Sequence, residues 1–281
     1  MISVAKFSLY SFLLLSFLAC SSISDPYSIQ GEAYGTTWQI KFFEDQNIVD
    51  KKEIEIKVKE ELNRIDSIFS LYDDESSISK INKNKALNWK NLPGSEDFKE
   101  LFNISNEVVD NSNGSYEVFF NGEWDFNSVA KGYAVDKVCR ILELYNLKNY
   151  MVEIGGEIRF SGKKPDGHWK FAIINPSLEN KIFDEFSTPI SLSIATSGDY
   201  RNPGHIVDPI TNISIKSNLL SVSVIDEIST AKADAWATAL FATKIDWFYL
   251  ANSKEIAAFF IYVEEGKINS IASEKWAKLL K

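Results

Sequence analysis

The chain has 281 residues, 45% of them hydrophobic and 25% charged, an ordinary globular balance that supplies a substantial core for one large domain or two small ones. Its formal net charge is −9, and no run of Lys and Arg marks a basic face, which argues against nucleic acid as a partner. An anionic ligand would have to be held by local devices: helix N-termini, a metal, or single basic side chains.

Lys6 precedes an apolar run, FSLYSFLLLSFLAC, that is too short to span a bilayer comfortably and reads as a signal peptide over residues 1–19. Its end, FLAC, resembles a bacterial lipobox with Cys20 as the first mature, lipidated residue. Phe17 and Leu18 depart from the usual lipobox, so cleavage by an ordinary signal peptidase stays open. Residues 20–29 then form a lipid-anchored polar tether, and residues 30–281 one compact domain, with a bilobal arrangement left open. The other cysteine is Cys139. With Cys20 lipidated no intrachain disulfide can form, and Cys139 falls on an apolar helical pattern as an inert core thiol.

Further along, WQIKFF (38–43) is a strand, and Ile54, Val58, Leu62, Ile65 and Phe69 repeat at helical spacing. Phe98, Leu101, Phe102 and Val108 predict a second helix, and Ala134, Val138, Ile141, Leu142 and Tyr145 a third that begins near Val129. WKFAII (169–174), ISLSIAT (190–196), LLSVSVI (219–225) and IAAFFIY (256–262) are strands. An alanine-rich helix runs over 231–242 with Ser229 or Thr230 as N-cap, and a short helix around Glu274–Leu280 closes the chain. Several neighbouring strands lack a crossover helix, which favours antiparallel pairing and an α+β class.

Nine of the 13 glycines fall between Gly114 and Gly204, where backbone turns or approaches a ligand. Gly162 and Gly167 read as plain turns. DFNSVAKGYAVD (125–136) turns into a helix with Lys131 in its first turn; free N–H groups and a lysine there suit a phosphate, although a lysine near a helix start is usually just solvated. In VEIGGEIRFSG (152–162), Gly155 and Gly156 interrupt an apolar pattern and let a ligand lie against backbone. IATSGDYRNPGHIVDPIT (194–211) ends a strand in a polar loop holding Ser197, Asp199, Arg201, His205 and Asp208, and His205 is one of two histidines in the chain. Asp234 and Thr238 lie four apart, on one face of the alanine-rich helix. Two readings are open: the two oxygens share a hard cation such as Mg²⁺, or Thr238 bonds back to a carbonyl and Asp234 is a satisfied polar group. No G-x-S-x-G, P-loop, HExxH, CxxC or sustained G-x-G-x-x-G is present, so the markers of serine hydrolases, nucleotide kinases, thiol redox proteins and Rossmann enzymes are missing.

In order, GEAYGTTW, FSLYDDESSISKIN, DFNSVAKGYAVD, VEIGGEI, ATSGDYR, HIVDP and ADAWATALF resemble the ApbE family, the FAD:protein FMN transferases, from Gly31 to about Phe241. The resemblance implies a T-fold-like α+β architecture in an exported or lipid-anchored bacterial protein on the periplasmic side. It implies Mg²⁺ as cofactor and FAD as substrate: FMN is joined through a phosphoester to a threonine or serine of a partner flavoprotein, and AMP is released. Rnf-type or sodium-pumping quinone-reductase-like subunits are the partners it implies.

Carried over by position, the metal ligands are Asp234, Thr238 and the carbonyl of Ser128. Lys131 matches the lysine near the FAD phosphates, and Tyr34 and Tyr72 fall where flavin is contacted. Ser115, Tyr116 and Glu117 follow Gly114 where the family often has G-x-F-D, so Glu117 is one methylene longer than the usual acid. Arg201 and Asp199 belong to the SGDYR segment, and His205 matches the HIVDP histidine, an acid/base candidate. Either Asp234 or His205 can be the general base. The HIVDP segment continues with Ile-Thr-Asn where Thr-Gly is usual. Two rival functions stay open: an FAD pyrophosphatase that keeps the same site with water as acceptor, and, from another class, a lipoprotein that binds FAD without chemistry, which would not need the Asp-x-x-x-Thr pair.

Overall fold

The computed structural model describes residues 25–43, 50–178, 181–200 and 203–280. Cys20, the apolar run before it and Arg201 lie outside the described residues. No helix among the described residues is long and apolar enough to cross a membrane.

In chain order the elements are β1 (Tyr27–Ala33), β2 (Thr36–Phe42), α1 (Lys51–Phe69), α2 (Ser77–Lys83), α3 (Ser95–Asn111), β3 (Phe119–Phe120), β4 (Glu123–Trp124), α4 (Ala130–Leu144), β5 (Tyr150–Ile154) and β6 (Glu157–Ser161). There follow β7 (Trp169–Ile174), β8 (Ile182–Thr188), β9 (Leu192–Gly198), β10 (Leu219–Asp226), α5 (Thr230–Ala242), α6 (Trp247–Ser253), β11 (Ala257–Glu264), β12 (Lys267–Ala272) and α7 (Glu274–Leu279). An open eight-stranded sheet runs β1-β2-β5-β6-β9-β10-β11-β12, every pair antiparallel. This is the α+β, mostly antiparallel class expected from the strand connections.

Alternation along the strands sorts side chains to two faces. One face carries Trp38, Ile40, Val152, Ile154, Val222 and Phe260 and is covered by α1, α4 and α5, with α3 packed on α5. The other carries Phe160, Leu192, Ile194 and Phe259, against the β7–β8 hairpin and Trp276 of α7. The packing leaves α5 enclosed: 11 of its 13 residues are buried, and its alanines let α4 and the sheet close in on it. Ser229 is the N-cap, its hydroxyl accepting from the Lys232 N–H, and the Asp136 carboxylate of α4 accepts the N–H groups of Thr230 (2.8 Å) and Ala231 (3.1 Å) at the positive end of the helix.

Two boundaries differ from the sequence reading. The sheet begins at Tyr27, with Ile29 buried, so residues 27–29 of the expected tether pair with β2 instead. β9 extends through Ser197 and Gly198, paired with Val222 and Ser221, so the polar loop starts two residues later than expected. Cys139 is buried as expected, and burial pushes its thiol pKa up.

Candidate active site

The first turn of α4 meets α5 at Gly132. A Cβ at that position would lie 2.5 Å from the Thr230 carbonyl oxygen, so only glycine allows the two helices this approach. The Gly132 N–H donates to Asp234 Oδ2 at 3.1 Å, bringing a carboxylate from the middle of α5 onto the start of α4. Asp234 is 5% exposed. Burial raises its pKa well above the usual carboxylate range; the charge of Glu157 adds to this, while Lys131 and the Gly132 N–H oppose it. Its second oxygen accepts no hydrogen bond among the described residues. One turn on, the Thr238 hydroxyl sits 3.2 Å from Ser197 Oγ at the end of β9.

The α4 terminus is therefore not the open anion site that free N–H groups predicted. The Val129 and Ala130 N–H groups bond to the Phe126 carbonyl, and Gly132 is taken by Asp234. Lys131 is likewise engaged: its Nζ is 2.8 Å from Glu157 Oε2. Glu157 opens β6 and is 2% exposed, directed to the helix side of the sheet. Burial raises its pKa and the Lys131 ammonium pulls it back. Gly155 and Gly156, both at positive φ, form the two-residue turn between β5 and β6. A Cβ on Gly155 would come 3.4 Å from Lys131 Cδ, so the lysine stem runs along this turn.

Tyr116 is buried with its hydroxyl 3.1 Å from Ser128 Oγ, and burial, with the Asp234 charge among the lesser causes, pushes the phenol pKa up. Ser115 Oγ lies 2.8 Å from the Ala239 carbonyl of α5. Ser115, Tyr116, Ser128, Lys131, Gly155, Gly156, Asp234 and Thr238 thus converge on the α4–α5 junction.

Of the other expected site residues, Tyr34, Glu117 and His205 have partners of their own. The Tyr34 hydroxyl donates to the Leu62 carbonyl of α1 at 2.8 Å, and its ring packs against the core. Glu117 Oε1 accepts the N–H groups of Val118 and Phe119. Tyr72, between α1 and α2, is 95% exposed. His205 Nδ1 is 3.5 Å from Asp199 Oδ1, which also accepts the Gly204 N–H at 2.6 Å. That loop springs from the end of β9, two residues past Ser197, and Lys244 pairs with Asp208 at its far end.

Sequence reasoning gave no role to Glu157. Its signal was a charged residue directly after a Gly-Gly turn, at an inward position of a strand whose next alternate residue, Arg159, is also polar. Among the described residues no cluster of three or more His, Cys, Asp or Glu side chains could hold a metal ion. Asp234 and Thr238, one turn apart on α5, are the oxygen donors that this face of the helix offers.

The site and fold define a class: an α+β protein whose central, alanine-rich helix presents a buried carboxylate to a lysine-bearing helix start. The sequence model described as the ApbE family matches residues 34–124 and 120–260, and the chain belongs to that family. The chain is 28% identical to the FAD:protein FMN transferase of Vibrio cholerae, over 83% of this chain and 85% of that protein. It is 27% identical to that of Haemophilus influenzae, over 95% of each. The solved flavin transferase ApbE of V. cholerae superposes with a TM-score of 0.79 at 24% identity, covering 91% of this chain and 99% of that one. The apo flavinyl transferase ApbE of Pseudomonas stutzeri gives 0.80 at 24% identity, covering 91% and 97%. These two structures establish the shared fold.

Proposed function

We infer that this chain is an FAD:protein FMN transferase that moves FMN from FAD to a threonine or serine hydroxyl of a partner flavoprotein and releases AMP. The observation that carries the reading is Asp234, a buried carboxylate with one oxygen on the Gly132 N–H and the other without a hydrogen bond among the described residues. A carboxylate this enclosed gains from a charged partner. The donors around it suit a hard cation, which takes oxygen ligands.

Asp234, Thr238 and the carbonyl of Ser128 would hold Mg²⁺, which when bound would neutralise charge on the FAD diphosphate. The chain's own residues do the rest. Lys131 adds a positive charge at the same place, and the Gly155-Gly156 turn lets the ligand lie against backbone. The acceptor oxygen bonds to the FMN phosphorus, the phosphoanhydride P–O bond breaks, and AMP leaves; such transfer depends mainly on positioning and charge neutralisation. The acceptor's proton passes to Asp234 or His205.

Incubation with FAD, Mg²⁺ and an exported flavoprotein acceptor, followed by intact-mass measurement, tests the reading. The expected result is an acceptor heavier by one FMN residue on Thr or Ser, with one AMP released per adduct. FMN and AMP without an adduct would mean that water is the acceptor, and unreacted FAD would mean binding without chemistry; either overturns the transferase.

The same proposal extends to location and partner. Lipid on Cys20 anchors the enzyme to the exported face of a bacterial membrane, where a membrane electron-transfer subunit of the Rnf or sodium-pumping type presents the acceptor residue. Release of a Cys20→Ala variant from the membrane fraction is the expected outcome.

A further inference from the structure

The active-site helices bring two carboxylates, Asp234 and Glu157, and one ammonium, Lys131, into a single buried cluster. Among the described residues the ion pair of Lys131 is with the carboxylate on the sheet. Its Nζ is 2.8 Å from Glu157 Oε2, and Glu157 is the more deeply enclosed partner, with side-chain exposure of 3% against 34% for the lysine. Yet Asp234 lies beside it in the fold, since its Oδ2 accepts the N–H of Gly132, the residue that follows Lys131. The Gly155 turn borders the lysine stem on the sheet side.

We propose that Glu157 is a positioning residue that reserves Lys131, keeping the ammonium off Asp234 so that the Asp234 carboxylate stays open to a divalent cation. The proposal rests on the metal reading given above for Asp234. Lysine is a compact charge on a flexible stem and pairs with whichever carboxylate it reaches. Without a carboxylate at the start of β6, the ammonium would turn to Asp234, and a cation would then have to displace it. Partners behind a metal site commonly change metal affinity by about 10- to 100-fold.

The test is Mn²⁺ binding to the FAD-free protein, read by the electron paramagnetic resonance signal of free Mn²⁺. Glu157→Asp keeps the charge but withdraws it by one methylene, which lengthens and weakens the 2.8 Å contact with Lys131. A simple field effect of the carboxylate would leave Mn²⁺ binding unchanged in that variant. The expected result is a loss of about tenfold in affinity, with Lys131 Nζ within ion-pair distance of Asp234 in a crystal structure of the variant. The double variant Lys131→Met/Glu157→Gln is neutral at both ends and leaves no buried charge unpaired by the change, so it keeps the test open if Glu157→Asp fails to fold. It is expected to bind Mn²⁺ within about threefold of the wild type, since independent sites add and coupled ones do not. Wild-type affinity in Glu157→Asp, or weak binding in the double variant, overturns the role of Glu157 alone. A wild-type protein that binds no Mn²⁺ overturns the metal reading and this inference with it.

Discussion

Asp234 accepts the Gly132 N–H at 3.1 Å, so a carboxylate from the middle of one helix closes the first turn of another that lies 102 residues earlier in the chain. Helix starts favour negative charge, and the contact gives Asp234 a firm position without using its second oxygen. The arrangement combines a buried charge, a neighbouring hydroxyl on Thr238 and a close helix crossing that only glycine permits. Each of these can be changed alone.

Asp234→Asn keeps an amide oxygen for the Gly132 N–H and removes the charge. FMN transfer is expected to fall by about 10² or more, the scale of losing one preorganised electrostatic group. The melting temperature is expected to hold or rise, because an incompletely compensated buried charge has been removed. Transfer to the acceptor, read by in-gel flavin fluorescence, and a thermal melt check the two halves separately. Undiminished transfer would rule out the metal and proton roles of Asp234.

Gly132→Ala places a methyl group 2.5 Å from the Thr230 carbonyl oxygen and 2.8 Å from the Ala231 Cα. Both neighbours are backbone, so α4 and α5 must separate. Overpacking of this kind costs about 1–3 kcal/mol, to be measured by urea unfolding. Because the same shift draws the Gly132 N–H away from Asp234, FAD turnover is expected to fall along with stability.

Much of this junction can be read from sequence because it lies on long periodic elements. The spacing of Ile54, Val58, Leu62 and Ile65 shows α1, and the alanine-rich run shows α5, with Asp234 and Thr238 one turn apart on it. What escapes is what depends on pairing between distant segments. β1 resembles a polar tether until its register with β2 is known, and Ser197 resembles a loop residue until β10 pairs with it. β8 and β12 present mostly half-buried or exposed residues, so they carry no strong alternation. Glu157 is charged yet almost wholly buried, and its partner Lys131 lies 26 residues earlier, a pairing no local pattern reveals. The helix start of α4 was legible as a terminus, but not the fact that a carboxylate from α5 already fills it.

Behind the site, α1, α3 and α4 are tied by Asp97, which accepts from Arg64 Nη1 at 2.7 Å and from the Tyr133 hydroxyl at 2.9 Å. Burial pushes the Asp97 carboxyl up, but the Arg64 and Tyr133 hydrogen bonds and the charges of Arg64 and Lys137 outweigh it and hold the pKa at about 2. That value is below the ordinary carboxylate value of about 3.9. Asp97 therefore stabilises the fold in full above pH 4, and the contribution is lost as pH falls toward 2. Asp97→Asn is expected to lower stability at pH 6 by about 2 kcal/mol or less and to flatten the loss of stability between about pH 4 and 2. Parallel stability–pH curves for variant and wild type would assign the acid sensitivity to other carboxylates.

Tyr72 is 95% exposed between α1 and α2, so its ring contributes little to the core. If it stacks on flavin, Tyr72→Ser leaves the melting temperature unchanged and raises KM for FAD about tenfold, the size of one aromatic stacking contact. An unchanged KM would remove Tyr72 from the flavin site.

His205 and Asp234 compete for the role of base, and their surroundings differ. Asp234 is enclosed and is also the carboxylate proposed above to hold a cation, whereas the His205 side chain is 42% exposed and its Nδ1 faces Asp199 Oδ1 at 3.5 Å. A carboxylate beside one ring nitrogen orients the imidazole. His205→Ala is therefore expected to slow single-turnover FMN transfer by about 10²-fold while FAD affinity changes far less, because the lost group acts on the acceptor hydroxyl. Asp199→Asn keeps the histidine but weakens its orientation, and its effect should be smaller and of the same kind. The distinguishing measurement is transfer rate at saturating FAD as acceptor concentration is varied. A His205→Ala variant with the wild-type rate under those conditions would leave Asp234 as the proton acceptor.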